Sequence, residues 1–191
     1  TQSRSSAASD VYKRQGILSG VVAFGFFQAM NTSKYQKYVG EKYKDKGCQL
    51  TRGASAYWAH PHTGSMLIGF SLREMGKRGY KYAVAFSDPD AGEVGVLYQA
   101  TNWIYIGATK DKHWDVYDTA SGKCVLNDRD AFKRLGFRGR SKLLGYIADK
   151  HGLELRERKP KARYMKPIGT KRENKEMLMY LIPSSLPYPK R

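Results

Sequence analysis

Apolar positions along the chain recur with two periods, and each period predicts an element. Gly16–Phe27 (GILSGVVAFGFF) is continuously apolar, β-branched, and too short and glycine-rich for a membrane span, so it predicts a buried strand. In the polar stretch Asn31–Lys46, Tyr35, Tyr38, Val39 and Tyr43 fall on one helical face. Leu50, Ala54, Ala56 and Trp58 alternate between Cys48 and His60, which predicts a strand with those side chains on one side. Pro61 and Gly64 make His60–Ser65 a turn, and a helix follows from Ser65 to about Met75, burying Ile68, Leu72 and Met75 and ending at Gly76 or Gly79. Tyr80–Ser87 reads as a strand, Asp88–Gly92 as a turn, Glu93–Ala100 as a short helix and Trp103–Ile106 as a strand. This order of elements is that of an α/β protein.

After Gly107 the pattern changes. Trp114–Tyr117 and Lys123–Leu126 flank Ser121-Gly122, a hairpin signal, and Asp128–Leu135 and Ser141–His151 read as helices on either side of a basic, glycine-containing turn. Arg156–Lys175 is strongly basic, and Arg163–Pro167 with Met177–Ile182 reads as a closing strand pair before a proline-rich tail. No internal repeat is visible. The expected organisation is a core over residues 16–109 and a basic elaboration with closing strands over residues 110–191, within one domain.

The first thirty residues imitate a secretory signal, with a basic start and an apolar run. Ser5–Gln15 (SSAASDVYKRQ), however, matches residue for residue the in-frame translation of a library-preparation transposon adapter. Residues 1–15 are therefore expected to be non-native, with native sequence beginning near Gly16.

Charge narrows the function. The 191 residues carry 34 Lys+Arg against 17 Asp+Glu, a net +17, and removing Arg4, Lys13, Arg14 and Asp10 with the first fifteen residues still leaves +15. A field of that sign attracts polyanions, nucleic acid before anionic membrane. Two cysteines, Cys48 and Cys124, make neither a disulfide framework nor a zinc site, and they point to the cytoplasm. His60 and His62 flank Pro61 without a third ligand type nearby, so no metal site is expected from them, although a metal requirement stays open.

Two segments carry candidate chemistry. Thr63-Gly64-Ser65-Met66 leads from a strand into a helix, where free N–H groups and a glycine suit a phosphate or carboxylate. Tyr98, in a short helix followed by an aromatic strand, resembles the fourth helix and next strand of the Gcn5-related N-acetyltransferase (GNAT) superfamily, in which such a tyrosine protonates a leaving thiolate. The usual glycine-rich pyrophosphate loop of that superfamily is missing.

The stretch Ser87-Asp88-Pro89 before Gly92, followed by Tyr98-Gln99-Ala100-Thr101-Asn102-Trp103 and by Tyr105 and Gly107, resembles the Mom family of phage DNA-modification proteins. Leu50-Thr51-Arg52, Gly64-Ser65 and the terminal Leu186-Pro187-Tyr188-Pro189 resemble it too. The resemblance is dense from Leu50 to Gly107 and thin from Lys110 to Lys175. It implies a divergent acetyltransferase-like fold, a mixed central sheet flanked by helices with a basic C-terminal elaboration. It also implies conversion of adenine in double-stranded DNA to an N6-carbamoylmethyl derivative, which protects phage DNA from restriction.

By that resemblance Arg52 and Ser65 hold a donor, acetyl-CoA or a related acyl compound; Asp88 assists the adenine amine; Tyr98 is the acid; and Asn102 and Trp103 support the site or stack on the base. Each has a plainer alternative: a solvent-facing strand arginine, a helix cap, a turn-starting aspartate and core aromatics. The substrate amine is paired inside the duplex, so the base must leave the stack. Lys133, Arg134, Arg138, Arg140 and Lys142, with Arg156–Lys166 beyond, are the expected phosphate contacts. Two further function classes remain open on sequence: an N-acetyltransferase acting on another amine, and a nucleic-acid-binding module with an inactive core.

Overall fold

The computed structural model describes residues 9–14, 17–25 and 33–190. The chain divides into two compact units, one made of Thr1–Ser87, Glu93–Ala108 and Ala162–Arg191, the other of Asp88–Gly92 and Thr109–Lys161. The closing segment after Ala162 thus belongs to the same unit as the core, and the basic elaboration spans the interval before it.

The first unit is a six-stranded mixed sheet. In chain order its elements are β1 (Ser9–Arg14), β2 (Ile17–Gly25), α1 (Ser33–Val39), β3 (Gly47–Ser55), α2 (Thr63–Lys77), β4 (Tyr82–Ser87), α3 (Val96–Ala100) and β5 (Ile104–Ala108). The second unit, described below, contributes β6 to β8, so the strand returning to this sheet is β9 (Ala162–Pro167), followed by α6 (Lys171–Leu181). The strand order is β1-β2-β3-β4-β9-β5, and every adjacent pair is antiparallel except β3–β4.

Central strand β4 has both faces covered, and its alternation divides the core. Ala83 and Ala85 face Leu67, Ile68, Leu72 and Met75 of α2, while Tyr82 and Val84 face Tyr35, Tyr38 and Val39 of α1 and Met177 and Leu181 of α6. On β9, Tyr164 joins the first cluster and Met165 the second. The tyrosine-bearing face expected of Asn31–Lys46 is buried at all four positions.

Several elements differ from the sequence expectation. Ser9–Arg14, for which the sequence reading made no structural expectation, pairs with β2 as an edge strand. The strand expected over Cys48–His60 ends at Ser55, and its inward alternation stops at Leu50: Ala54 is exposed near the strand's end and Trp58 lies exposed in the turn beyond it. Met177–Ile182, expected as a strand, lies in and just after α6. That helix starts from a capping box in which the Thr170 hydroxyl accepts from the Glu173 N–H and Glu173 accepts from the Thr170 N–H.

The second unit is a three-stranded antiparallel sheet, β7-β6-β8, with two helices: β6 (Trp114–Asp118), β7 (Cys124–Leu126), α4 (Asp128–Leu135), α5 (Arg140–Ile147) and β8 (Leu153–Glu157). The hairpin around Ser121-Gly122 forms as expected. Strand β8 was not expected from the sequence: its alternation, Leu153 and Leu155 inward with Glu154 and Arg156 between and after them, is only five residues long and sits in a strongly charged stretch. Val116, Leu126, Ala131 and Leu143 make a small separate core.

Candidate active site

β3 and β4 are hydrogen-bonded only at Gly47–Tyr82, Cys48–Ala83 and Gln49–Val84. Beyond these pairs β3 follows β2 out to Ser55, while β4 follows β9 out to Ser87, so the two parallel strands part toward their C-terminal ends. In an α/β sheet such a parting is where a ligand enters. Helix α2, which connects the two strands, begins at the same end.

That helix starts two residues earlier than expected, with His62 at its N-cap. The Thr63 side chain is buried and its N–H donates to the His60 carbonyl at 2.8 Å, so this expected cofactor contact is turned inward. Ser65 Oγ donates to the His62 carbonyl at 2.9 Å. Gly64 faces α3, and a Cβ there would lie 3.2 Å from Leu97 Cδ2, so this glycine lets two helices approach each other. Between α2 and α3 a groove of about 530 Å³ is lined by Ser65, Met66, Leu67, Gly69, Phe70, Arg73, Ala100 and Thr101. The Arg73 guanidinium lies 5.9 Å from the Phe70 ring centroid. A donor with an apolar arm and one anionic group fits these residues, with Ser65 and Arg73 as its polar contacts.

Helix α3 enters from Gly95 at φ +71°, where a Cβ would come within 2.6 Å of the Tyr164 ring. Tyr98 packs against Trp103 at 5.4 Å and Tyr164 at 5.2 Å between ring centroids, and its hydroxyl lies 3.5 Å from the Phe86 carbonyl. Burial, with Glu93 and Tyr164 adding to it, pushes the phenol up to about 12. Tyr98 is a neutral phenol at neutral pH, as an unshifted tyrosine also is, so it carries a proton to give.

The residues after Tyr98 have structural work. Asn102 takes the left-handed conformation, φ +57°, that ends α3, which suits asparagine. Trp103 is fully buried and offers no ring face to a base, so the packing alternative accounts for it. Its carbonyl accepts from the Tyr188 hydroxyl at 2.6 Å, while the Leu186 N–H donates to the Tyr105 carbonyl at 2.9 Å. The Leu-Pro-Tyr-Pro tail is thereby fastened to β5. Lys166, at the end of the stretch expected to contact phosphates, instead donates to the Thr101 carbonyl at 2.6 Å, and burial lowers its pKa. A cation there opposes the negative end of α3.

Arg52 is exposed on β3, and its guanidinium donates to the Thr51 carbonyl at 3.0 Å. Asp88 belongs to the second unit. Its carboxylate bonds Arg158 Nη2 at 2.8 Å and Lys161 Nζ at 3.0 Å, and accepts from the Asp90 N–H. Burial pulls its pKa upward, but Lys161 and Arg158 outweigh burial and hold it below the usual carboxylate range. A carboxylate so held is a weak base. Its geometry fits fixing the segment after β4 better than taking a proton from adenine.

Within the second unit, α4 is capped by the Asn127 side chain and ends at Gly136 in the left-handed region, and α5 starts from Gly139. This short turn displays Lys133, Arg134, Arg138, Arg140 and Lys142, all exposed. Among the described residues none of the five has an acidic partner within 4.0 Å. Arg138 lies over Phe132 and Arg140 over Trp114, both at 5.4 Å, which holds the guanidiniums in place without neutralising them. Arg156 and Arg158, in contrast, are paired with carboxylates.

His60 and His62 lie with ring centroids 5.3 Å apart, and among the described residues no group of three His, Cys, Asp or Glu side chains is placed to hold a metal ion. No helix of the described residues is long and apolar enough to cross a membrane.

Solved structures that resemble this chain include acetyltransferases. An N-acetyltransferase from Staphylococcus aureus Mu50 is 16% identical with a TM-score of 0.43, over 83% of this chain and 66% of that one. A ribosomal-protein-alanine N-acetyltransferase from Brucella melitensis is 12% identical with a TM-score of 0.43, over 82% of this chain and 66% of that one. An IAA acetyltransferase from Bacillus cereus ATCC 14579 is 13% identical with a TM-score of 0.43, over 82% of this chain and 75% of that one. The chain thus spans just under two thirds of the length of the first two. A search of curated protein sequences returns no match. The Mom protein family model, by contrast, matches residues 3–190, nearly the whole sequence. The chain belongs to the Mom protein family.

Proposed function

We propose that this protein is a DNA adenine-modifying transferase that converts adenine to its N6-carbamoylmethyl derivative and so shields phage DNA from restriction. The observation that carries this reading is the family match over residues 3–190. The protonated, half-buried Tyr98 and the uncompensated cations of the second unit support it.

In this reading the first unit supplies the chemistry. Ser65, Met66, Phe70, Arg73 and Thr101 hold the donor along the α2–α3 groove, and the bound donor supplies an electrophilic carbon. Adenine N6 forms a bond to that carbon while the bond to the leaving group breaks, the electron pair departing with that group. Tyr98 gives its phenolic proton to the departing group. The N6 proton, acidic once the nitrogen carries the new bond, passes to water, and solvent restores the phenol. Arg52, whose guanidinium has no carboxylate partner among the described residues, holds an anionic group of donor or substrate. The second unit supplies affinity: Lys133, Arg134, Arg138, Arg140 and Lys142 contact phosphates of double-stranded DNA and release counterions. Nucleoside mass spectrometry of DNA from cells expressing the protein tests the reading, with a modified deoxyadenosine as the expected product.

A further inference from the structure

The segment joining β3 to α2 reads Tyr57-Trp58-Ala59-His60-Pro61-His62, four ring-bearing aromatic side chains in six residues. Tyr57 is 99% exposed and Trp58 48% exposed. His60 and His62 are exposed as well. The loop is nonetheless ordered by its backbone. The Ala56 N–H donates to the Ser19 carbonyl at 2.9 Å, Ala59 to Ala56 at 3.0 Å, and His62 to the Nδ1 of His60 at 3.2 Å. Tyr57 on this pinned loop lies almost wholly in water and Trp58 about half so, and neither joins the buried core cluster, whereas the other aromatics of this unit's site, Tyr98, Trp103 and Tyr164, are packed together. Among the described residues the core cluster of this unit is complete without the rings at positions 57 and 58.

The chemistry of such a surface is flat, π-rich and adjacent to no acidic side chain of its own segment. On a chain of net charge +17 it suits the bases of a polyanion whose phosphates the cations attract. Rigid aromatic rings with few rotamers lose little entropy when they stack. Chemistry on adenine N6 also requires the base to leave the duplex and find a new stacking partner, a part that the buried Trp103 does not fill. We propose that Tyr57 and Trp58 form a stacking platform for an unpaired base of the DNA substrate, at the end of the sheet where β3 and β4 part. The proposal rests on the DNA adenine-modifying reading for its substrate, but its test is independent of turnover.

The experiment compares binding of the full chain to a single-stranded deoxyadenosine oligonucleotide and to a strand of equal length carrying abasic sugars, by fluorescence anisotropy over a salt series. The two strands have the same phosphates and differ only in bases. The native chain is expected to prefer the base-bearing strand by roughly tenfold or more. Tyr57→Ala and Trp58→Ala each reduce that preference, the double variant removes it, and Trp58→Phe restores most of it, all with the salt slope unchanged. Equal binding of both strands by the native chain overturns the proposal. So does a preference that survives in the double variant, or an equal loss on both strands. Loss of coenzyme A binding in the double variant, with the base preference intact, assigns the loop to a donor and also overturns it. Base preference without any modified deoxyadenosine in cells defeats the enzymatic reading and leaves the platform standing.

Discussion

The Tyr188 hydroxyl donates to the Trp103 carbonyl at 2.6 Å, tying the proline-rich tail to the turn that follows the Tyr98 helix. Trp103 packs in turn on Tyr98, so a residue near the C-terminus steadies the ring proposed as the proton donor. Tyr188→Phe removes one part-buried hydrogen bond and is expected to cost about 1 kcal/mol. For a chain of this size that lowers the melting temperature by roughly 2–4 °C. Calorimetry checks it, and an unchanged melting temperature would show the tail to be ornamental.

Tyr98→Phe keeps the packing and deletes the proton. Modification should fall by about 10²- to 10⁴-fold, while DNA binding holds, as measured by single-turnover kinetics beside anisotropy. Because the phenol is pushed up to about 12, the folded state holds this proton more tightly than the unfolded chain. The associated stability is complete below the ordinary tyrosine range and is lost as pH rises toward 12. Alkaline melting curves of the native chain and Tyr98→Phe should diverge only there.

The carboxyl of Asp88 shifts the other way. Its pKa lies below its ordinary value, so the stability it contributes is present above the usual carboxylate range and disappears as pH falls through the lowered value. Asp88→Asn should lose stability at neutral pH, and its deficit should shrink in acid. If Asp88 only anchors its segment, restoring stability with an added osmolyte recovers modification. A purely catalytic role predicts no such recovery.

How much of this was legible in the sequence depended on how local each signal was. Helix α4 emerges with the expected bounds because Asn127 caps it and Gly136 ends it within the window one reads. The Tyr35, Tyr38, Val39 and Tyr43 face was legible from its period alone. Met177–Ile182 was misread because a continuous apolar run carries no period, and the deciding signal, Thr170 with Glu173, stands at the start of the helix seven residues before that run. The pairing of Asp88 with Arg158, seventy positions away, has no local signature, nor does the burial of Trp103 beneath chain that arrives later. Motif reading singled out Tyr98 and Gly64 and passed over Tyr57 and Trp58, because exposure is not written in a motif.

Gly64 makes a sharper test of the groove. A Cβ there would press on Leu97 at 3.2 Å, so Gly64→Val should cost about 1–3 kcal/mol through overpacking. Adding Leu97→Ala should recover part of that loss, measured by denaturant titration. No recovery would mean that the strain lies elsewhere.

In the second unit, Arg138→Ala with Arg140→Ala removes two unpaired cations. The slope of log binding constant against log salt should flatten by about 2, with affinity falling similarly on unrelated sequences. An unchanged slope removes both residues from the DNA contact.

The central claim is tested most directly by nucleoside mass spectrometry on DNA from cells expressing the native chain or Tyr98→Phe. A deoxyadenosine heavier by one carbamoylmethyl group, present with the native chain and lost with the variant, is the predicted result. Unmodified DNA from a native chain that is folded and binds DNA would contradict the account.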